Sequence, residues 1–331
     1  MNDRSLIGPR IRRFLLEYLV IERNLARNTQ TGYRDTLVLL LPFLSKELKK
    51  SVDRFTIDDL SPACVRRVLQ YIENERGCSG ATRNLRLATI HSFATFIGMH
   101  NPEHVAWCAQ MRVIPFRKTA KSSLSYLDKP EIDALLNTPD LRKPQGKRDY
   151  TLLLFLYNTG ARVDEAVHLT IADITWGNSP AVRLVGKGSK VRWCPLWKRT
   201  ADSLKSLTSG RTGEDAVFLN RLDRPLTRFG IYGLINRIVV QASKTLPSLA
   251  AKRISPHRIR HTCAVHLLRA GVDINTIRAW LGHVSLDTTN IYAEADLEMK
   301  AKALAHCDLP APRDKQLWHS DPGLIGFLRA L

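Results

Sequence analysis

The stretch AVRLVGKGSKVRWCPL, residues 181–196, is written in a different period from the rest of the chain. Apolar residues alternate on either side of a Gly-Lys-Gly-Ser turn, the pattern of a two-stranded hairpin. Elsewhere apolar residues recur at helical spacing. A chain of this kind folds as mainly α with a small β-sheet.

Start and stop signals divide the helical part. GPRIRRFLLEYLVIER predicts a first helix, and Asn28 is placed to cap a second, TQTGYRDTLVLLLPFLSKEL. Ser61-Pro62 opens a third, with Ser as N-cap and Pro at the first helical position. Ser79 or Thr82 opens a fourth that runs to about Gly98. Four or five helices without strands make residues 1–112 an all-α domain. Residues 113–124 are basic, polar and weakly periodic, which predicts a linker. The second domain, 125–306, opens at Asp128-Lys129-Pro130-Glu131. A buried helix over 148–159 ends at Gly160, the hairpin follows, and helices are expected at 227–243, 256–270, 273–281, 285–291 and 297–306. This domain is α+β. Residues 307–331 form a tail with an apolar stripe, Leu324, Ile325, Phe327, Leu328 and Leu331.

Charge limits the partners. The 331 residues carry 50 Lys and Arg against 31 Asp and Glu, a net charge of +19. Residues 1–112 hold 17 basic and 11 acidic residues, and the remainder 33 and 20, so the excess is spread over both domains rather than held in a tail. That distribution predicts a polyanion lying across both, and nucleic acid fits it. An anionic membrane surface would call for a basic amphipathic helix or a polybasic cluster, and neither dominates. No apolar run approaches the roughly 20 residues of a membrane span, and the first residues lack a signal-peptide pattern, so a cytoplasmic protein is expected. The six cysteines, Cys64, Cys78, Cys108, Cys194, Cys263 and Cys307, form no CxxC pair. They are expected to be reduced and packed as small apolar groups, with no bound metal. Trp176, Trp193, Trp197 and Trp280 are read as core or strand-pair residues.

Five segments of the second domain carry chemistry. TGARVDEAVHL places Arg162 after a helix-ending Gly-Ala pair, with Glu165 three residues on. The hairpin turn GKGSK holds Lys187. In SPHRIRHTCAVHLLRAG, His257 and Arg260 are three apart on one helix face. WLGHVS holds His283, and DTTNIY ends at Tyr292, nine residues later. Taken singly, each has a plain structural reading. Arg162 could be a surface charge paired with Glu165, Lys187 a solvated turn residue and Tyr292 a helix-face aromatic. HRIRH lacks the Glu of a metalloprotease helix, and GKGSK lacks the spacing of a phosphate-binding P-loop. Their joint order and spacing, in a +19 chain, reverse those single readings in favour of a catalytic set.

In that order, Arg, Lys, His-x-x-Arg, Leu-Gly-His and Tyr resemble the active-site signature of the tyrosine recombinases, the family of phage integrases and Xer-type resolvases. The resemblance spans about 125–295 and implies a SAM-like core-binding domain in front. It implies Arg162 and Arg260 as the catalytic arginines, Lys187 as the hairpin lysine, His257 and His283 at the two histidine positions, Glu165 as the supporting carboxylate and Tyr292 as the nucleophile. The chemistry is coherent. Arginine forks bind phosphate oxygens bidentately. Lys187 could protonate the leaving 5′ hydroxyl. A 3′-phosphotyrosyl linkage would conserve the bond without ATP, metal or cofactor. Expected partners are double-stranded DNA with inverted half-sites and a homo-tetramer in synapsis, or a hetero-assembly with a related recombinase, serving integration, excision or resolution of a mobile element or replicon. The tail could dock on a neighbouring subunit or on its own domain. Type IB topoisomerase-like relaxation and a non-catalytic DNA-binding accessory are the alternatives.

Overall fold

The structure, a computed structural model, describes residues 6–119, 125–186, 188 and 190–282. The chain divides into two compact units, Met1–Lys121 and Ser122–Leu331.

The first unit is helical. Its opening helix α1 (Ile7–Arg13) runs directly into a wider π-helical stretch, Phe14–Glu22, rather than continuing as one α-helix. The buried residues there are Phe14, Tyr18 and Leu19. Steps of four and five suit an i→i+5 turn better than an α-turn. The wider turn brings Phe14 and Tyr18 together onto Phe96, with ring centroids 5.4 and 5.1 Å from it. Helix α2 spans Arg27–Leu48, and its N-cap is Ala26, without a side-chain cap, rather than Asn28. In place of a cap, the N–H groups of Thr29 and Gln30 donate to the Ala26 carbonyl, so Asn28 is already inside the first turn. The expected caps hold at α3 (Pro62–Asn74), where Ser61 accepts from the Cys64 N–H, and at α4 (Gly80–His100), where Ser79 accepts from the Thr82 N–H. A short α5 (Val105–Arg112) closes the unit, and the Trp107 indole donates to the Leu60 carbonyl.

In the second unit the core is built round one helix. Helix α6 (Lys129–Asn137) starts at Asp128, as its capping signals require. Helix α7 (Pro144–Thr159) begins four residues before the expected start, because Pro144 supplies a first-turn residue that needs no N–H partner. From Tyr150 to Thr159 it is buried at every position but Tyr157. A helix apolar on all sides must lie inside, and α7 is the axis of this core. Each fully buried Leu or Phe along it contributes about 1.5–3 kcal/mol.

The sheet has three antiparallel strands rather than two, in the order β1 (Ile174–Thr175), β2 (Ala181–Val185) and β3 (Val191–Pro195). A two-residue strand shows no alternation in sequence; pairing of Ile174 with Val182 defines it. Strands β2 and β3 pair from Ala181–Pro195 to Val185–Val191. Val182, Leu184 and Cys194 face inward. The tryptophan expectation is corrected at two positions: Trp176 and Trp197 lie outside the strands and stay exposed. Trp193 is a strand-pair residue, across from Arg183 on the outer face. The remaining helices are α8 (Val163–Val167), α9 (Lys198–Leu207), α10 (Arg228–Ala242), α11 (Pro256–Arg269) and α12 (Ile274–Leu281). Helix α9 was not anticipated from sequence. The helices expected at 285–291 and 297–306, and the tail, lie outside the described residues. Of the cysteines, Cys64, Cys194 and Cys263 are buried, Cys78 and Cys108 are half-buried, and all five are free.

Candidate active site

The site begins where α7 stops. Gly160 is left-handed, with φ +57°, and its N–H closes the last turn onto the Leu156 carbonyl. A Cβ at this position would lie 2.5 Å from Leu281 Cδ2 and 3.3 Å from Cys263 Sγ. Glycine is therefore required twice here, for conformation and for space. The bend presses the Gly-Ala-Arg segment between α11 and α12 and delivers Arg162 as the N-cap residue of α8.

Glu165, in the first turn of α8, is the centre of the arrangement. Its Oε2 accepts the Arg162 backbone N–H at 2.7 Å, and its Oε1 accepts Arg162 Nη1 at 2.9 Å. The same two oxygens accept Nη1 and Nη2 of Arg192 at 2.7 Å each. Burial pushes the Glu165 carboxyl up, but the hydrogen bonds and charge of Arg192, with the bonds from Arg162, outweigh it. The group is held below its ordinary value and stays ionised.

Three arginines from three elements then converge on the last carbonyls of α12. Arg192 Nε donates to the Trp280 carbonyl at 2.8 Å, Arg260 Nη2 to Leu281 at 2.5 Å and Arg162 Nη2 to Gly282 at 3.2 Å. These are the carbonyls a helix leaves without internal partners, at the negative end of its dipole. Arg260 is itself buried, and its Nη1 donates to the Gly160 carbonyl at 2.5 Å. One side chain thus fastens the end of α7 to the end of α12.

Helix α11 starts at Ser255, whose hydroxyl accepts the Arg258 N–H. His257 is exposed at its first turn, while Arg260, on the next turn, is buried. His261 lies edge-on to His257, with ring centroids 4.1 Å apart. Desolvation lowers the His257 pKa, aided by the charges of Arg260 and Arg162. His261 is pushed down to about 4 by desolvation, then by His257, Arg260 and Arg258. Both imidazoles are neutral at pH 7.

Of the seven residues singled out from sequence, Arg162, Glu165, His257 and Arg260 are brought to one locality by these contacts. Lys187, His283 and Tyr292 lie outside the described residues. The described neighbours of Lys187 and His283 reach the site. A Cβ on Gly186, next to Lys187, would lie 3.1 Å from Glu165 Oε1 and 3.5 Å from Arg162 Nη1. Gly282, next to His283, gives its carbonyl to Arg162.

Sequence reasoning missed Arg192. The signal was available in the strand register: Arg192 pairs with Leu184 and Cys194 with Val182, so an arginine occupies the inward face of β3. A cation in an apolar register needs a buried anion, and Glu165 is that anion. Among the described residues, no group of three or more His, Cys, Asp or Glu could hold a metal ion.

The family match and the relatives of the chain define a DNA strand-exchange enzyme. The chain belongs to the phage integrase family of tyrosine recombinases, DNA-binding enzymes of site-specific recombination. Residues 125–299 match that family, and residues 11–98 match the phage integrase N-terminal SAM-like domain. The chain is 35% identical over its whole length, and that of the relative, to a Sinorhizobium fredii protein provisionally named integrase/recombinase y4rC. It is 30% identical to tyrosine recombinase XerC of Bacillus subtilis, covering 87% of this chain and 92% of that one. Among solved structures, the Tn1549 transposon integrase in complex with circular intermediate DNA shares the fold, with a TM-score of 0.68 at 19% identity over 89% of this chain and 98% of that one. XerH bound to difH substrate has a TM-score of 0.65 at 21% identity, over 87% and 82%. No helix among the described residues is long and apolar enough to cross a membrane.

Proposed function

We propose that this recombinase cuts and rejoins DNA through a covalent 3′-phosphotyrosyl intermediate formed on Tyr292. The observation that carries the reading is the convergence of Arg162 and Arg260 on Gly282 and Leu281, the carbonyls that immediately precede His283. Two guanidinium groups beside the chain that leads to the tyrosine are what attack on an anionic phosphodiester needs, since phosphoryl transfer rests on positioning and charge stabilisation. In this reading Arg162 and Arg260 bind the non-bridging oxygens. Lys187 protonates the leaving 5′ hydroxyl. Neutral His257 is able to take the tyrosine proton, and His283 donates to a phosphate oxygen. Glu165 orients Arg162. The arginines supply the charge that Mg²⁺ supplies in many nucleases.

The substrate in this reading is duplex DNA with inverted half-sites, bound by two subunits and paired as a tetramer of this chain or with a related recombinase. Residues 1–112 are the core-binding domain and 125–306 the catalytic one, in a cytoplasmic, nucleoid-associated protein. Integration, excision or resolution of a mobile element or replicon is the corresponding role. Relatives named for Xer recombination and for a transposon integrase support it.

Covalent trapping tests the reading. Labelled DNA from the flanks of the gene, nicked so that religation fails, is incubated in EDTA with wild type or Tyr292→Phe. A denaturing gel should show a protein–DNA adduct with wild type alone. Adduct on arbitrary DNA, with plasmid relaxation, would favour a topoisomerase. Tight, salt-sensitive binding with no adduct on any DNA would favour an accessory binder.

A further inference from the structure

We infer that Arg192 is a positioning residue for strand cleavage: it neutralises Glu165, so that Arg162 presents a full positive charge in a fixed pose. The inference rests on the role proposed above for Arg162.

The geometry has three parts. First, Glu165 is saturated. Its two oxygens take four donors, two from Arg192 and two from Arg162, which fills the acceptor capacity of a carboxylate. Second, the pairing is buried and unequal. The Arg192 side chain is 9% exposed and that of Glu165 2%, whereas that of Arg162 is 36% exposed. Nε, Nη1 and Nη2 of Arg192 are all taken by the Trp280 carbonyl and Glu165, so it acts through its neighbours, while Arg162 has one face open. Third, Arg192 links the elements that carry the site. It stands on β3, five residues after Lys187, grips α8 through Glu165 and reaches the Trp280 carbonyl in the last turn of α12. Its stem fills the space beneath Gly282, where a Cβ would lie 3.1 Å from Arg192 Cδ. Gly282 is left-handed, with φ +64°, and its carbonyl holds Arg162.

The charge argument decides why two arginines are present. One arginine facing one buried carboxylate is a neutral pair, and its field at a bound phosphate is largely cancelled. Adding Arg192 brings the cluster to +1 and leaves Arg162 as its exposed member. Removing Arg192 leaves a buried, ionised carboxylate with Arg162 as its one remaining cation in the cluster. Arg162 would collapse onto it and lose the pose set by the Gly282 carbonyl. The defect would come from the orphaned carboxylate, so removing the carboxylate as well should relieve it.

The test is single-turnover adduct formation on nicked site DNA at saturating protein, with DNA affinity and melting temperature measured on the same preparations. Arg192→Gln should cleave about 10²-fold more slowly, the scale of losing one preorganised donor, with affinity for DNA within about threefold of wild type. Arg192→Gln combined with Glu165→Gln should recover roughly tenfold over Arg192→Gln alone, a coupling that independent structural damage does not produce. Arg192→Lys, which keeps the charge but loses the fork, should fall between wild type and Arg192→Gln. It carries the test if Arg192→Gln shows no cooperative melt. A wild-type rate in Arg192→Gln or in a folded Arg192→Lys, or a double variant no faster than the single, would overturn the inference alone. No adduct from wild type would overturn the functional reading and this inference with it.

Discussion

Gly160 and Leu281 approach so closely that a methyl group does not fit between them: a Cβ on Gly160 would lie 2.5 Å from Leu281 Cδ2. The contact joins the end of the central helix to the last turn of α12. Arg260 spans the same junction with hydrogen bonds to the Gly160 and Leu281 carbonyls. Position and charge at the site thus depend on one tightly packed seam.

Gly160→Ala tests the seam. The left-handed φ and the overlap with Leu281 should together cost about 2–4 kcal/mol. For a unit of this size that is a fall in melting temperature on the order of 10 °C. Differential scanning calorimetry measures it; an unchanged transition would mean that α12 moves aside freely.

The two arginines should separate by phenotype. Arg162 is half-exposed, and Glu165 keeps Arg192 when Arg162 is truncated. Arg162→Ala should therefore slow strand cleavage by about 10²–10³-fold and shift the melting temperature little. Arg260→Met leaves the Gly160 and Leu281 carbonyls without that donor, which costs about 1–3 kcal/mol for each group stranded inside. It should lose stability as well as cleavage. Thermal melts beside adduct-formation rates distinguish the two, and equal melting temperatures would contradict the burial argument.

His261 sets a pH dependence. Its pKa is about 4 in the folded chain, against an ordinary 6.5, because burial and the nearby charges of His257, Arg260 and Arg258 oppose protonation. The unfolded chain therefore binds this proton first as pH falls. The stability at stake is complete above pH 6.5 and drains away between about 6.5 and 4, by at most about 3 kcal/mol. Urea titrations of wild type and His261→Gln at pH 7.5, 6 and 5 check it. The difference between the two curves should change as pH drops; parallel curves would show that His261 does not titrate in that window.

Much of this was legible beforehand, for local reasons. Ser61, Ser79 and Ser255 each accept the backbone N–H that their position before a helix predicts, and Gly160 ends α7 where expected. The misreadings have non-local causes. The Phe14–Glu22 stretch widens to a π-helix because its aromatic residues pack on Phe96, a partner some 80 positions away in the chain. Strand β1 is too short to alternate and exists through its pairing with β2. Arg162, Glu165, His257 and Arg260 could be nominated because they match the signature of the family the chain resembles. Arg192 could not, because its meaning depends on a carboxylate 27 residues away across the strand-to-helix junction. Register alone would have flagged it as a buried cation, but not named its partner.

The most direct measurement of the central claim is the identity of the residue that becomes joined to DNA. Trapped adduct, digested with nuclease and protease, should yield by mass spectrometry one peptide carrying a nucleotide through a 3′-phosphate on Tyr292, and no such peptide from Arg162→Ala on the same timescale. A nucleotide attached to any other residue, or through a 5′-phosphate, would contradict the account.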